Sequence, residues 1–231
     1  MAAHRSVKAG QNPSLVGVVT TLAELDLATR MPDPPDLFEL RLDHFVGKED
    51  QLEAKMSILR TPFIITARHP AEGGANKLST SHRRDLLLQF LPDARYVDVE
   101  LRSANALRSV IVAARKKKVR CIVSFHDFNS TPNARSLFSK ARAAKHLGAD
   151  IFKIATRTDT PTQMARLLEF MANPDVDLAL SVMGIGKLGR QSRRELMGHG
   201  SVLNYAHIGR TRLAGQPSLS EVRRWMLNVG R

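Results

Sequence analysis

The chain has 231 residues, 43% of them hydrophobic, so it can bury a large core without relying on disulfides or structural metals. Lys and Arg number 35 against 22 Asp and Glu, a formal net charge of +13, yet aromatic residues are only 5% of the chain. The basic residues are dispersed and lack the aromatic interleaving of a nucleic-acid-binding sheet, so no nucleic-acid partner is expected. A basic surface that draws in small anionic molecules fits better. Cys121, the single cysteine, lies in the apolar run RCIVSF and reads as a buried thiol in a reducing compartment. The opening residues MAAHRSVKAG lack an apolar signal-peptide region, and no run approaches the ~18 apolar residues of a membrane span. A soluble cytoplasmic protein is expected.

In chain order, residues 1–13 read as a polar tail. Short apolar runs then alternate with longer helical patterns. The runs are 15–20 (LVGVVT), 37–42 (LFELRL), 63–68 (FIITAR), 96–100 (YVDVE), 121–125 (CIVSF), 151–155 (IFKIA), 178–183 (LALSVM) and 201–207 (SVLNYAH). Helical spacing is clearest over 81–91, 105–118, 133–147 and 162–171. Thr131-Pro132 and Thr160-Pro161 read as helix starts, and Arg115 to Lys118 as a solvated helix end where cations suit the dipole. Residues 31–36 (MPDPPD) are a rigid loop. Eight alternating β and α segments predict parallel βαβ units, and residues 14–231 are read as one α/β domain, a single (β/α)8 TIM barrel. An open doubly wound sheet is the competitor, but no Gly-rich phosphate fingerprint follows the first strand.

Catalytic groups of such barrels sit at the C-terminal ends of strands. Polar residues occur there repeatedly: Glu39 and Arg41, two apart and therefore on one face, Arg68 closing its strand, and His126 closing another. Each has a plain structural reading: an ion pair, a solvated terminus, a turn histidine. Lys153, inside IFKIA, is harder to dismiss. It shares a face with Ile151 and Ala155, and both faces of a barrel strand are covered. An unpartnered ammonium in such a place costs several kcal/mol or gives up its proton. A neutral amine attacks carbonyls to form Schiff bases. The structural alternative is that Lys153 snorkels out or pairs with Glu39. A lysine to condense with a ketone, a histidine to move a proton and arginines to hold an anion together point to imine chemistry. No cluster with metal-ligand spacing is visible, and neither a metal nor another cofactor is expected.

The motifs FELRLDHF (38–45), TARHPAEGG (66–74), SFHDFNSTP (124–132), GADIFKIAT (148–156), MGIGKLGRQSR (183–193) and AGQPS (214–218) resemble, in order, those of the type I 3-dehydroquinate dehydratases of the shikimate pathway. The resemblance implies dehydration of 3-dehydroquinate to 3-dehydroshikimate through a covalent imine. It makes Lys153 the Schiff-base lysine, His126 the general acid–base and Glu72 the acid that orients the histidine. Glu39, Arg41 and Arg68 become substrate contacts, Arg193 the carboxylate clamp, and Gln216 part of a lid over the substrate. The family is often dimeric, which implies a homodimer.

The sequence departs from the family at several points. Ile185 stands where some members have a second methionine. Arg212, beside Thr211, stands where the lid commonly offers a serine, and is carried over as a possible substrate contact. Tyr205 stands where an apolar aromatic is frequent. The alternative reading is another Schiff-base barrel enzyme, a class I aldolase of sugar phosphates. It predicts backbone N–H groups of the MGIGKLG loop free to bind phosphate.

Overall fold

A computed structural model describes residues 13–173, 176–211 and 213–229, with side chains as far as Leu227. The expected polar tail, save Pro13, lies outside the described residues. Eight strands alternate with eight α-helices: β1 (Ser14–Val19), α1 (Leu22–Thr29), β2 (Leu37–Arg41), α2 (Glu49–Met56), β3 (Phe63–Thr66), α3 (Thr80–Phe90), β4 (Tyr96–Glu100) and α4 (Arg108–Lys116), then β5 (Arg120–Asp127), α5 (Ala134–His146), β6 (Ile151–Arg157), α6 (Pro161–Ala172), β7 (Ala179–Ile185), α7 (Gly189–Gly198), β8 (Leu203–His207) and α8 (Leu219–Val229). All strand pairs are parallel, in the order β7-β6-β5-β4-β3-β2-β1-β8. The Val202 N–H donates to the Leu180 carbonyl and the Ser181 hydroxyl to that of Leu203, which brings β8 back against β7. The sheet is thus a nearly closed barrel, the architecture expected from the alternation.

The period-2 pattern of the strands divides the core into two layers. Outward residues such as Phe38, Ile65, Val97, Cys121, Phe152 and Ile154 pack against the helices. Inward residues such as Val16, Leu37, Ile64, Ile122, Ile151 and Leu203 fill the lower half of the barrel. Cys121 belongs to the outer layer, where burial pushes its thiol up to about 12.

Helix starts follow the capping rules in part. Thr160 caps α6 with Pro161 in its first turn, and Gln163 reaches back to complete a capping box. The start of α5 differs from expectation: Asn133 is the cap, because the Thr131 hydroxyl is turned inward to the Arg157 carbonyl. Strands β5 and β6 also run two residues further than their apolar cores, through His126-Asp127 and Thr156-Arg157. Polar residues end an apolar pattern without ending the ladder, since backbone pairing continues from His126↔Ala155 to Asp127↔Thr156.

Candidate active site

The upper half of the barrel interior is polar. The strands place Glu39 and Arg41 from β2, Asp98 and Glu100 from β4, Ser124 and His126 from β5, and Lys153 from β6 on inward positions, with Arg68 just beyond β3. They surround a cavity of about 340 Å³ at the C-terminal ends of the strands, whose walls include Glu39, Arg41, Arg68, Glu72, His126, Lys153, Arg193, Tyr205 and Gln216. A second hollow, of about 410 Å³, is lined by α5 and the end of α6, but none of these strand-end groups reaches it.

Lys153 is only 3% exposed and points into the barrel. Its ammonium is not unpartnered: Nζ donates to Glu39 Oε1 at 3.0 Å and to Asp98 Oδ2 at 3.1 Å. The pairing with Glu39 that the sequence left open is therefore present, with a second carboxylate that the sequence did not announce. Neither partner is near in the chain, at 114 and 55 residues' separation. The Tyr205 ring lies beneath the same nitrogen, with its centroid 4.0 Å away.

Asp98 also takes Arg68, whose Nη1 and Nη2 donate to Oδ1 and Oδ2 at 3.0 and 2.9 Å. Burial works to raise the Asp98 carboxyl, but the Arg68 and Lys153 cations outweigh it and hold the group well below its usual range. For Arg68 burial works downward, and the Asp98 and Glu100 carboxylates carry its pKa well above the ordinary arginine value. Arg68 is thus no solvated terminus. Its Nη1 also donates to Glu100 and Ser124, so most of its donors are committed within the wall. Behind it, Arg83 of α3 is fully buried and donates to Glu100 Oε2, to the Ala67 carbonyl and to Ser103.

Glu39 and Arg41 share a face but are not paired with each other. Arg41 forks onto Asp43 at 3.0 and 2.8 Å. Burial opposes the Asp43 charge, while Arg41 and the backbone N–H groups of Ala75 and Arg68 outweigh it and lower the carboxyl. One buried aspartate thereby ties the loop after β3 to the end of β2.

His126 takes up a second acid from that loop. Its Nδ1 lies 2.8 Å from Glu72 Oε2, and its backbone N–H donates to the same oxygen at 3.0 Å. Burial, followed by the Arg68 and Lys153 charges, holds the imidazole well below its usual pKa. Burial raises Glu72 to about 7 against the opposing pull of Arg68. The imidazole is therefore neutral near pH 7. An ionised Glu72 fixes the proton on Nδ1 and leaves Nε2 as a base.

Arg193, on α7, is of another kind. It is 6% exposed, and its Nε and Nη1 donate to the carbonyls of Gly184 and Tyr205. Among the described residues it has no carboxylate partner, and burial alone pushes it down to about 10. A buried cation facing a cavity without a counter-ion is arranged to receive an anion.

The cavity's rim is formed by the β7 loop and the strip before α8. Gly186 donates its N–H to the Ala214 carbonyl. A Cβ on Gly215, whose φ is +81°, would stand 2.7 Å from both the Gly186 oxygen and the Gly189 Cα, so the two loops touch backbone to backbone. Gln216 lines the cavity and Thr211 is exposed, its hydroxyl on the Leu213 carbonyl. Arg212 lies outside the described residues. The N–H groups of the glycine loop are occupied: Lys187 donates to Asp159, Leu188 to the Thr158 carbonyl and Gly189 to that of Gly186. No phosphate cradle is left there, which removes the support for the aldolase alternative.

Among the described residues no group of His, Cys, Asp and Glu has the arrangement of a metal site, and no helix is long and apolar enough to cross a membrane. Asp98, Glu100, Asp43, Ser124 and Arg83 were not singled out from the sequence. The signal for the first two was there, because YVDVE puts both carboxylates on one face of a strand covered on both sides.

An inward lysine among carboxylates, a histidine–glutamate pair and a lone buried arginine lie together at the C-terminal mouth of the barrel, where (β/α)8 enzymes carry their active sites. The type I 3-dehydroquinase family model matches residues 16–229, and the chain belongs to that family. It is 28% identical over 215 residues to the 3-dehydroquinate dehydratase of Methanothrix thermoacetophila, covering 92% of this chain and 90% of that one. It is 31% identical to that of Methanothermobacter thermautotrophicus, with 82% and 83% covered. A crystal structure of the Geobacillus kaustophilus 3-dehydroquinate dehydratase superposes with a TM-score of 0.86 at 26% identity, over 96% of this chain and 92% of that one. The type I enzyme of Clostridium difficile, solved with covalently modified comenic acid, gives 0.85 at 25% identity, over 95% and 93%.

Proposed function

We propose that the protein dehydrates 3-dehydroquinate to 3-dehydroshikimate and water through an imine on Lys153, a hydro-lyase step of aromatic biosynthesis. The observation that carries this reading is that Lys153, the His126–Glu72 pair and the unpaired Arg193 line one cavity. The Arg193 guanidinium binds the substrate carboxylate. Glu39 Oε1, on the ammonium at 3.0 Å, is in place to accept its proton, while Asp98, kept ionised by Arg68, holds the nitrogen in position, so that the amine attacks the ring ketone. Loss of water gives an iminium, which draws electrons from the adjacent C–H bond. His126 Nε2 removes that proton and then returns one to the leaving hydroxyl. Arg41, with Gln216 and Arg212 of the loop after β8, serves the ring hydroxyls and carboxylate. The protein requires no metal or cofactor for this and acts as a cytoplasmic homodimer.

Incubation with 3-dehydroquinate and borohydride tests the mechanism. A mass adduct is expected on Lys153, and none in Lys153→Ala, whose turnover falls to background. A wild type that turns over unmodified in borohydride would overturn the imine.

A further inference from the structure

We infer that Tyr205 is a catalytic residue of this chain, whose aromatic face stabilises the cation that Lys153 carries through the reaction; the inference rests on the imine reading above. Condensation of an ammonium with a ketone replaces the C=O double bond by a C=N double bond, releases the ketone oxygen with two nitrogen protons as water, and leaves one positive charge on the iminium. The charge persists, but its hydrogen bonds do not. The ammonium has three N–H groups, two of them given to Glu39 Oε1 and Asp98 Oδ2. The iminium keeps one. At least one carboxylate contact is therefore lost at the moment when the cation must draw electrons from the ring.

An aromatic face suffers no such loss, because a ring quadrupole attracts a cation without needing a particular N–H. The Tyr205 ring is placed for this, its centroid 4.0 Å from Nζ. Among the described residues no other ring stands over that nitrogen. The ring is also held from behind. Its residue pairs with Val16 of β1, and its carbonyl accepts from Arg193. The group is 4% exposed, so the attraction operates in a nearly dry site, where such contacts are strongest. The hydroxyl takes no part in this. It is the buried side-chain polar atom without a hydrogen-bond partner among the described residues, and its removal relieves a desolvated group rather than breaking a bond.

That makes Tyr205→Phe the right parent for a test at constant shape. Phenylalanines with one, two and three ring fluorines at position 205 weaken the ring's negative face stepwise with little change in size. Each is compared with Tyr205→Phe for turnover of 3-dehydroquinate and for the rate of borohydride trapping on Lys153. The expected result is a monotonic fall in both, roughly 10–30-fold across the series, the range of a desolvated cation–π contact. A merely structural ring would give a flat series. A flat series in a chain whose wild type forms the Lys153 adduct overturns this inference alone. A wild type that forms no adduct overturns the imine reading, and this inference with it.

Discussion

The two halves of the barrel's upper interior are built on opposite principles. From β2 to β4 every buried charge has its counter-charge: Arg68 with Asp98 and Glu100, Arg83 with Glu100, Arg41 with Asp43, Lys153 reaching across to Glu39 and Asp98. From β7 to β8 the wall is apolar, with Met183, Ile185 and the Tyr205 ring, and the buried cation it carries, Arg193, has no counter-ion among the described residues, while Arg210 lies exposed at the edge. A charged network that is complete within the protein fixes the geometry of the lysine. A charge left incomplete is, on the proposed reading, one that the substrate carboxylate completes. The same residue type, a buried arginine, thus has opposite duties on the two sides.

Removal of one arginine from each side separates these duties. Arg83→Met breaks a buried ion pair and leaves Glu100 Oε2 without its partner, with only Arg68 and the His69 N–H still on Oε1, a change of the kind that costs about 3–5 kcal/mol. Chemical denaturation should report that drop. Arg193→Met removes a desolvated cation along with its two hydrogen bonds to carbonyls, effects of opposite sign, so stability should move by about 1 kcal/mol or less. Its effect falls on binding: the KM for 3-dehydroquinate should rise by roughly 10²-fold, the worth of a lost charge-assisted pair. If Arg193→Met destabilised the protein as much as Arg83→Met does and left KM unchanged, the contrast between the halves would collapse.

The smallest effect concerns pH. Glu72 is raised to about 7 by burial, so its ionised form, which holds the imidazole proton on Nδ1, is lost as pH falls through that value. kcat/KM should therefore decline about tenfold per pH unit below 7, with a single ionisation. In Glu72→Gln, where the amide oxygen accepts from Nδ1–H at any pH, that acid limb should vanish. Persistence of the limb in Glu72→Gln would place the ionisation elsewhere.

Much of this was legible in the residues. The eight apolar runs gave the barrel, because strands buried on both faces carry an unbroken signal. Lys153, His126 and Arg68 stood out as polar residues in or at the ends of those runs. Arg193 and Gln216 came through motif resemblance alone, since nothing in their local pattern sets them apart. The counter-charges were harder to see. Asp98 and Glu100 alternate with Val97 and Val99 as they would on a half-solvated strand, and only closure of the barrel turns that face inward. Arg83 sits next to the exposed Arg84, and composition cannot tell the two apart. Helical phase can: positions 83, 86, 87 and 90 form the buried stripe of α3. For Lys153 pairing with Glu39 stood only as an alternative and Asp98 was not foreseen, because both carboxylates come from other strands, a proximity that exists only in the closed fold.

The contact of Gly186 and Gly189 with Gly215 bears on how the cavity is roofed. Most loops are held down by side chains that interlock, and selection can strengthen or loosen such a grip one atom at a time. Here the resting place of the roof is defined by missing atoms. No side chain can be enlarged there to tighten the closure, because the first carbon added would prise it open. Peptide hydrogen bonds join the strip to its neighbours, Gly186 to Ala214 and His207 to Pro217, and peptide bonds are the same in every sequence. The closest part of that seating is therefore an all-or-none property of Gly189 and Gly215, whose Cβ atoms would each enter the contact.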